Sequence, residues 1–178
     1  YLPSSSANTN TVVPPIQNHK QLTNLGSRSI TVTKPAKLPW IITGYNVPSL
    51  STLVPKDQWK AYALYTASAI LSIDDSSRLP KHLIRDQKIA ASADSNYSLY
   101  RLYDGLWTID AVPAPQHTLK QCQHAITEEI NSLKTTLVTD DELKRIKVHV
   151  IAYDVYKNDD LFERVMNLGV PEMSNNSW

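Results

Sequence analysis

The apolar positions of this chain change period several times, and the changes divide it into elements. Across Ser29 to Lys34, Ile30 and Val32 alternate with polar residues; Leu38 to Val47 sets Trp40, Ile42 and Gly44 against Ile41, Thr43 and Tyr45. Period-two runs rich in β-branched and aromatic residues, bounded by Pro35, Pro39 and Pro48, predict two adjacent strands. From Lys56 to about Ser72, just after Pro55, Trp59, Tyr62, Ala63, Thr66, Ala69, Ile70 and Ile73 fall at helical spacing. Ser76-Ser77 followed by Leu79, Pro80, Leu83 and Ile84 predicts a short second helix with a serine cap and proline in its first turn.

Alternation then returns. Ile89, Ala91, Ala93, Ser95 and Tyr97 form one series, and Leu106, Thr108 and Asp110 against Trp107, Ile109 and Ala111 form another, with the turn signal Asp104-Gly105 between them. An antiparallel pair is predicted. After Pro113 and Pro115, a long helix carries Leu119, Cys122, Ile126, Ile130 and Leu133 on one face. Thr139-Asp-Asp-Glu142 has the form of a capping box, opening a helix on Leu143, Ile146, Val150 and Tyr153. A last amphipathic stretch covers Leu161 to Leu168. The order ββ, αα, ββ, αα predicts a two-layer α+β fold, an antiparallel or mixed sheet with helices packed on one face, because each layer must bury its apolar side against the other.

Ahead of these elements, Tyr1 to Ser27 is rich in Ser, Asn, Thr and Pro and too poor in apolar surface to offset its ordering entropy, so it reads as a linker or strap. With 178 residues the rest is one globular domain or most of one. Charge is split along the chain. Residues 1–55 hold Lys20, Arg28, Lys34 and Lys37 and no carboxylate, and all 17 carboxylates follow from Asp57 onward. The net charge of +1 argues against an extended nucleic-acid footprint, and no apolar run approaches the ~20 residues of a membrane helix. A single Cys excludes an internal disulfide and every Cys-rich zinc motif.

The search for chemistry returns no site. None of His19, His82, His117, His124 and His149 has a second His four residues on, the spacing that points two imidazoles the same way. His124 with Glu128, and His117 two turns back, is the nearest approach, and reads as solvated neighbours on a helix. Cys122 lies on an apolar stripe and reads as a small buried hydrophobe. Neither Ser4 to Ser6 nor Ser76-Ser77 has nucleophile-elbow glycines, and 4 Gly in the whole chain leave no phosphate-cradling loop. Trp40, Trp59 and Trp107 are expected to face the core.

Several segments, read in order, resemble one family. Arg28-Ser-Ile-Thr-Val and Lys37-Leu-Pro-Trp-Ile-Ile-Thr-Gly-Tyr-Asn-Val-Pro-Ser49 resemble the opening of the second domain of the insulinase/pitrilysin zinc peptidases, which include mitochondrial processing peptidase. Ser76-Ser77-Arg78-Leu79 with Leu83-Ile84-Arg85-Asp86-Gln87-Lys88-Ile89-Ala90 is similar to that family's signature helix and its entry into the next strand. Leu137-Val-Thr-Asp-Asp-Glu-Leu-Lys-Arg-Ile-Lys147 is similar to a later helix start, and Tyr1-Leu-Pro-Ser fits the end of the preceding domain. The match runs from Arg28 to about Met166. It implies an interdomain strap over residues 1–27 and a metal-free C-terminal domain over residues 28–178, shortened at its C-terminus.

The resemblance also implies a division of labour. The family's N-terminal domain holds zinc with an inverted His-x-x-Glu-His motif and a distant Glu, and the second domain closes over it to form a peptide chamber. This chain contains no such motif, so no catalytic, metal or substrate-binding residue is assigned to it. No cofactor is expected here, and zinc is expected in the N-terminal domain of the parent protein. Family second domains often hold substrate backbone with an Arg and a Tyr seven residues apart. Those positions fall here on Ile84 and Ala91, with Arg85 one place off; Arg85 and Lys88 are expected to be solvated helix-end charges. Expected partners are the catalytic domain of the same polypeptide and peptide substrate, with a homo- or heterodimer open; a bacterial periplasmic or cytoplasmic setting is the default. The alternatives are a catalytically dead structural or assembly subunit of the same family, and an unrelated α+β binding module.

Overall fold

A computed structural model describes residues 26–157 and 159–174. The linker reading of residues 1–27 therefore lies almost wholly outside the described residues. By its internal contacts the chain divides into two units, Tyr1–Lys34 and Pro35–Trp178. The described part of the first unit, residues 26–34, has neither helix nor strand. The strand predicted at Ser29 to Lys34 is thus a correction: Ile30 and Val32 are 87% and 71% exposed, and alternation without a surface to bury against does not hold a strand.

The second unit begins with β1 (Ile41–Val47), followed by two 3₁₀ turns, Leu50–Thr52 and Pro55–Asp57, and then α1 (Trp59–Ser72). A π-helical turn, Pro80–Asp86, leads into β2 (Ala90–Asn96) and β3 (Gly105–Pro113), and α2 (Leu119–Thr135), α3 (Asp140–Lys157) and α4 (Leu161–Met173) complete it. The α+β class holds. The observed order is one strand, a helix and a π turn, two strands and three helices. The sheet is antiparallel, in the order β1-β3-β2.

Register explains the core. Ile41, Thr43 and Tyr45 pair with Ala111, Ile109 and Trp107, and across the other edge Ala93 and Ser95 pair with Ala111 and Ile109. These residues share one face because side chains alternate along a strand. On that face Trp107, Ile109 and Ala111 are buried with Leu71 of α1, Leu79 just before the π turn, Leu83 within it, and Cys122, Ile126 and Ile130 of α2. A second cluster, Ala69, Ile70 and Ile146, joins α1 to α3.

Local signals set the element ends. Thr118 caps α2 through the N–H of Gln121, whose side chain accepts from the Thr118 backbone in return. Thr139 likewise accepts from the N–H of Glu142 at the start of α3, as predicted. The serine cap of the π turn is not formed. Ser77 turns back instead, accepting from the N–H of Asp74 and donating to its carboxylate, while Pro80, which has no N–H to satisfy, occupies the first turn.

Two further expectations change. Trp107 is buried, but Trp40 and Trp59 are 57% and 63% exposed. Of the face predicted for α1, Ala69 and Ile70 are buried and Ile73 packs against them, whereas Trp59, Tyr62 and Ala63 at the N-terminal end are exposed; Ala61, Ser68 and Leu71 complete the buried set. Small residues let α1 approach the sheet closely, and the large rings at its N-terminal end are left outside. Cys122 is buried as expected, and its environment raises the thiol pKa by desolvation.

Two stability outcomes follow. Ile109→Ala, at the centre of the covered face, is expected to lose about 2–5 kcal/mol in urea unfolding. Lys88 sits at φ 54, a left-handed conformation that costs a side chain roughly 1–2 kcal/mol, so Lys88→Gly is expected to raise the thermal midpoint.

Candidate functional site

Among the described residues, the sheet is covered on one side only. Its other face carries Ile42, Gly44 and Asn46 from β1, Leu106, Thr108 and Asp110 from β3, and Asp94 and Asn96 from β2. Ile42 and Leu106 are about half exposed, at 51% and 48%. Asp94 stands directly opposite Asp110 across the β2–β3 pair. Burial pushes the Asp94 carboxyl above the usual carboxylate range, and the neighbouring charge of Asp110 adds to it. From the N-terminal end of β1, Trp40 reaches over this face and its indole Nε1–H donates to Asp110 Oδ2 at 3.2 Å. The bare face thus has an apolar side along β1 and a carboxylate pair at its centre.

Beneath it, a polar seam fixes β2. Ser95 Oγ lies 2.9 Å from Ser68 Oγ and accepts the Trp107 indole N–H at 2.8 Å. The Ser95 backbone N–H donates to Ser72 Oγ at 2.8 Å, and that hydroxyl donates to the Ser95 carbonyl at 3.1 Å. The outer edge of β2 is therefore occupied at Ser95 by α1.

A second polar group holds the helical layer together. Arg78, just before the π turn, donates from Nε and Nη2 to both oxygens of Glu142 at 2.9 Å each. Arg145 pairs with Asp74, and His82 Nδ1 meets Glu129 Oε1 at 2.7 Å. Burial alone would push the Asp74 carboxyl up; the Arg145 guanidinium, the Ser77 hydroxyl and the Ser76 N–H outweigh it and hold it below the usual range. The Arg78 guanidinium does the same for Glu142 against the opposing effect of burial, aided by the Thr139 N–H. Arg78, His82, Glu142 and Arg145, with Lys81 and Thr139, line a cavity of about 370 Å³; Glu129 Oε2 is buried with no hydrogen-bond partner among the described residues. This ionic seam ties the segment ahead of the π turn to α3 through Arg78–Glu142 and Asp74–Arg145, and the π turn to α2 through His82–Glu129.

The sequence-derived positions separate. His124 and Glu128 sit exposed on α2, His117 lies half-buried ahead of it, and no group of three or more metal-ligating side chains occurs among the described residues. Ile84 packs against the core cluster, Ala91 is exposed at the irregular start of β2, and Arg85 and Lys88 are exposed. Sequence reasoning missed Asp94, Asp110 and the Arg78–Glu142 pair. The period-two pattern does place Asp110 opposite the buried Ile109 side, but only register brings Asp94 beside it.

Comparison with known proteins gives the family. The sequence profile described as "Peptidase M16 inactive domain" matches residues 2–148. The chain belongs to this family. In fold it resembles a protease from Helicobacter pylori, with a TM-score of 0.71 and 22% identity over 80% of this chain and 33% of that one. It also resembles a candidate zinc protease from Bordetella pertussis Tohama I, TM-score 0.62 and 19% identity over 82% of this chain and 76% of the other. The inactive peptidase domain of a candidate zinc protease from Bordetella parapertussis gives a TM-score of 0.64 and 18% identity over 83% and 76%. The chain spans about a third of the Helicobacter protein's length. No curated protein matches it. The resemblance of Arg28 to Met166 to an insulinase-family second domain agrees with this membership, and no helix among the described residues is long and apolar enough to cross a membrane.

Acid stability reports on the seam. The folded pKa values of Asp74 and Glu142 lie below those of the unfolded chain, near 4. Their contribution is therefore fully present above about pH 5 and is lost as pH falls through the depressed folded values. Glu142→Gln is expected to cost about 1–3 kcal/mol at pH 7 and to flatten the acid limb of a stability–pH curve. An unchanged acid limb would contradict this.

Proposed function

We propose that this chain is the non-catalytic C-terminal domain of a zinc metallopeptidase, which helps enclose peptide substrates and holds them for hydrolysis by a separate N-terminal zinc domain. The observation that carries this reading is the two-sided character of the sheet: helices cover one face, while the other, among the described residues, is uncovered and partly apolar. Membership of a family whose profile is described as an inactive peptidase domain supports the absence of catalysis in this part. In this reading the zinc and its activated water belong to the N-terminal domain, the partners are that domain and the peptide, and residues 1–27 serve as the strap between domains.

A second reading, a catalytically dead assembly subunit of the same family, is favoured by one observation. The two positions of the family's substrate clamp carry Ile84, packed against the core, and Ala91, neither of which can hold a peptide backbone by a polar side chain.

Peptide binding separates the two. Labelled unstructured peptides are expected to bind the purified chain, as read by fluorescence anisotropy, and to remain intact by mass spectrometry after incubation with added zinc. Cleavage by the chain would overturn the non-catalytic assignment. Failure of every peptide to bind would favour the assembly subunit.

A further inference from the structure

We propose that the outer edge of β1 takes an extended peptide as an added strand, and that Asp94 and Asp110 select a Lys or Arg side chain on it. This rests on the peptide-holding role proposed above and specifies its edge, its face and its preferred residue.

The two edges of the sheet differ. At β2 the backbone groups of Ser95 that would bond a further strand are taken by the Ser72 hydroxyl. At β1, among the described residues, no strand lies beyond Ile41–Val47 and no side chain bonds its backbone from outside. An unpaired strand edge is a template for another strand, and main-chain bonding there supplies affinity without regard to sequence. Gly44, in the middle of β1, removes one side chain from the bare face beside that edge; only the Leu106 side chain lies near where its Cβ would be.

The bare face supplies selectivity. Alternate side chains of an added strand project over this face, next to Ile42. Strands lie about 4.8 Å apart, so a peptide beside β1 runs about 10 Å from β3. An extended Lys or Arg side chain covers about 6 Å or more from its Cα, and the Asp side chain covers the remainder. A long cation can therefore cross β1 and meet Asp110, whereas a short one cannot. Its stem passes over Ile42 and beside the exposed ring of Trp40, whose indole N–H already holds the Asp110 carboxylate. An aliphatic stem on apolar surface, a cation near an aromatic ring and a carboxylate at its head form a complementary set. Among the described residues neither Asp94 nor Asp110 has a cationic partner in the protein. Burial, and after it the charge of Asp110, disfavours the ionised Asp94, and a cation beside the pair offsets both.

The test uses the whole 178-residue chain and a labelled peptide of alternating Thr and Val with one central Lys. Replacing that Lys by norleucine or by diaminobutyrate, a cation too short to span β1, is expected to weaken binding about tenfold, and replacing it by Glu still further. Methylating alternate backbone amides of the peptide should abolish binding. The double variant Asp94→Asn/Asp110→Asn should bind Lys and norleucine peptides equally, with unchanged circular dichroism. Equal binding of the Lys and norleucine peptides by the unaltered chain overturns the cation preference while leaving the peptide-holding role intact. Retention of the Lys preference in a folded double variant places the selecting charge elsewhere and overturns the assignment to these two residues. Full binding of the methylated peptide overturns strand addition. Should the double variant fail to fold, the peptide series on the unaltered chain decides. If no peptide binds at all, this inference and the peptide-holding role fall together.

Discussion

Burial of one face of β3 is the constraint on which the rest of this structure depends. β3 is bonded on both edges, to β1 and to β2, and its alternate residues Gly105, Trp107, Ile109, Ala111 and Pro113 are all buried. A central strand with one wholly apolar face needs a complete cover, and α1, the π turn and α2 supply it. Burying those side chains stabilises the fold by roughly 25 cal/mol per Å² of apolar surface removed from water, an effect no single surface pair approaches. The same alternation forces the intervening residues, Leu106, Thr108 and Asp110, onto the opposite side. The bare face is therefore a geometric consequence of the covered one.

The covering helices are held to one another by charge as well as by packing. Arg78 and Glu142 are 64 positions apart, yet they form a two-pronged pair with both side chains largely sequestered from water. Its fixed fork sets an angle between the entry to the π turn and the start of α3 that apolar contacts alone would leave softer. Glu142 also takes part in capping α3, so one carboxylate serves a local and a long-range role. The two segments joined in this way, Ser76 to Leu79 and Leu137 to Lys147, are among those that carry the family resemblance.

Much of the fold was legible along the chain because it depends on local periodicity. β2, β3, α2 and α3 occur where their patterns predict them, and Thr139 caps the start of α3 as its sequence motif predicts. The strand predicted around Ile30 and Val32 failed because alternation states only that a segment could cover a surface, not that a surface is there. Of the three tryptophans expected in the core only Trp107 is there, and the other two stay outside for a related reason. Trp40 and Trp59 have the hydrophobic payload of core residues, but the small residues of α1 and the inner residues of β1 had already filled the interface.

What the sequence by itself determined is the α+β class, the family, and the lack of an inverted zinc motif anywhere in these residues, since each is a matter of pattern and identity along the chain. Tertiary structure alone decided which face stayed bare, which edge stayed open and which charges met. Asp94 and Asp110 are unremarkable in sequence and become a pair only through the register of β2 on β3. Ser72 closes one edge only because α1 lies against β2. Contacts of this kind depend on where the chain returns to itself, and that is fixed by the packing of the whole core rather than by any local run of residues.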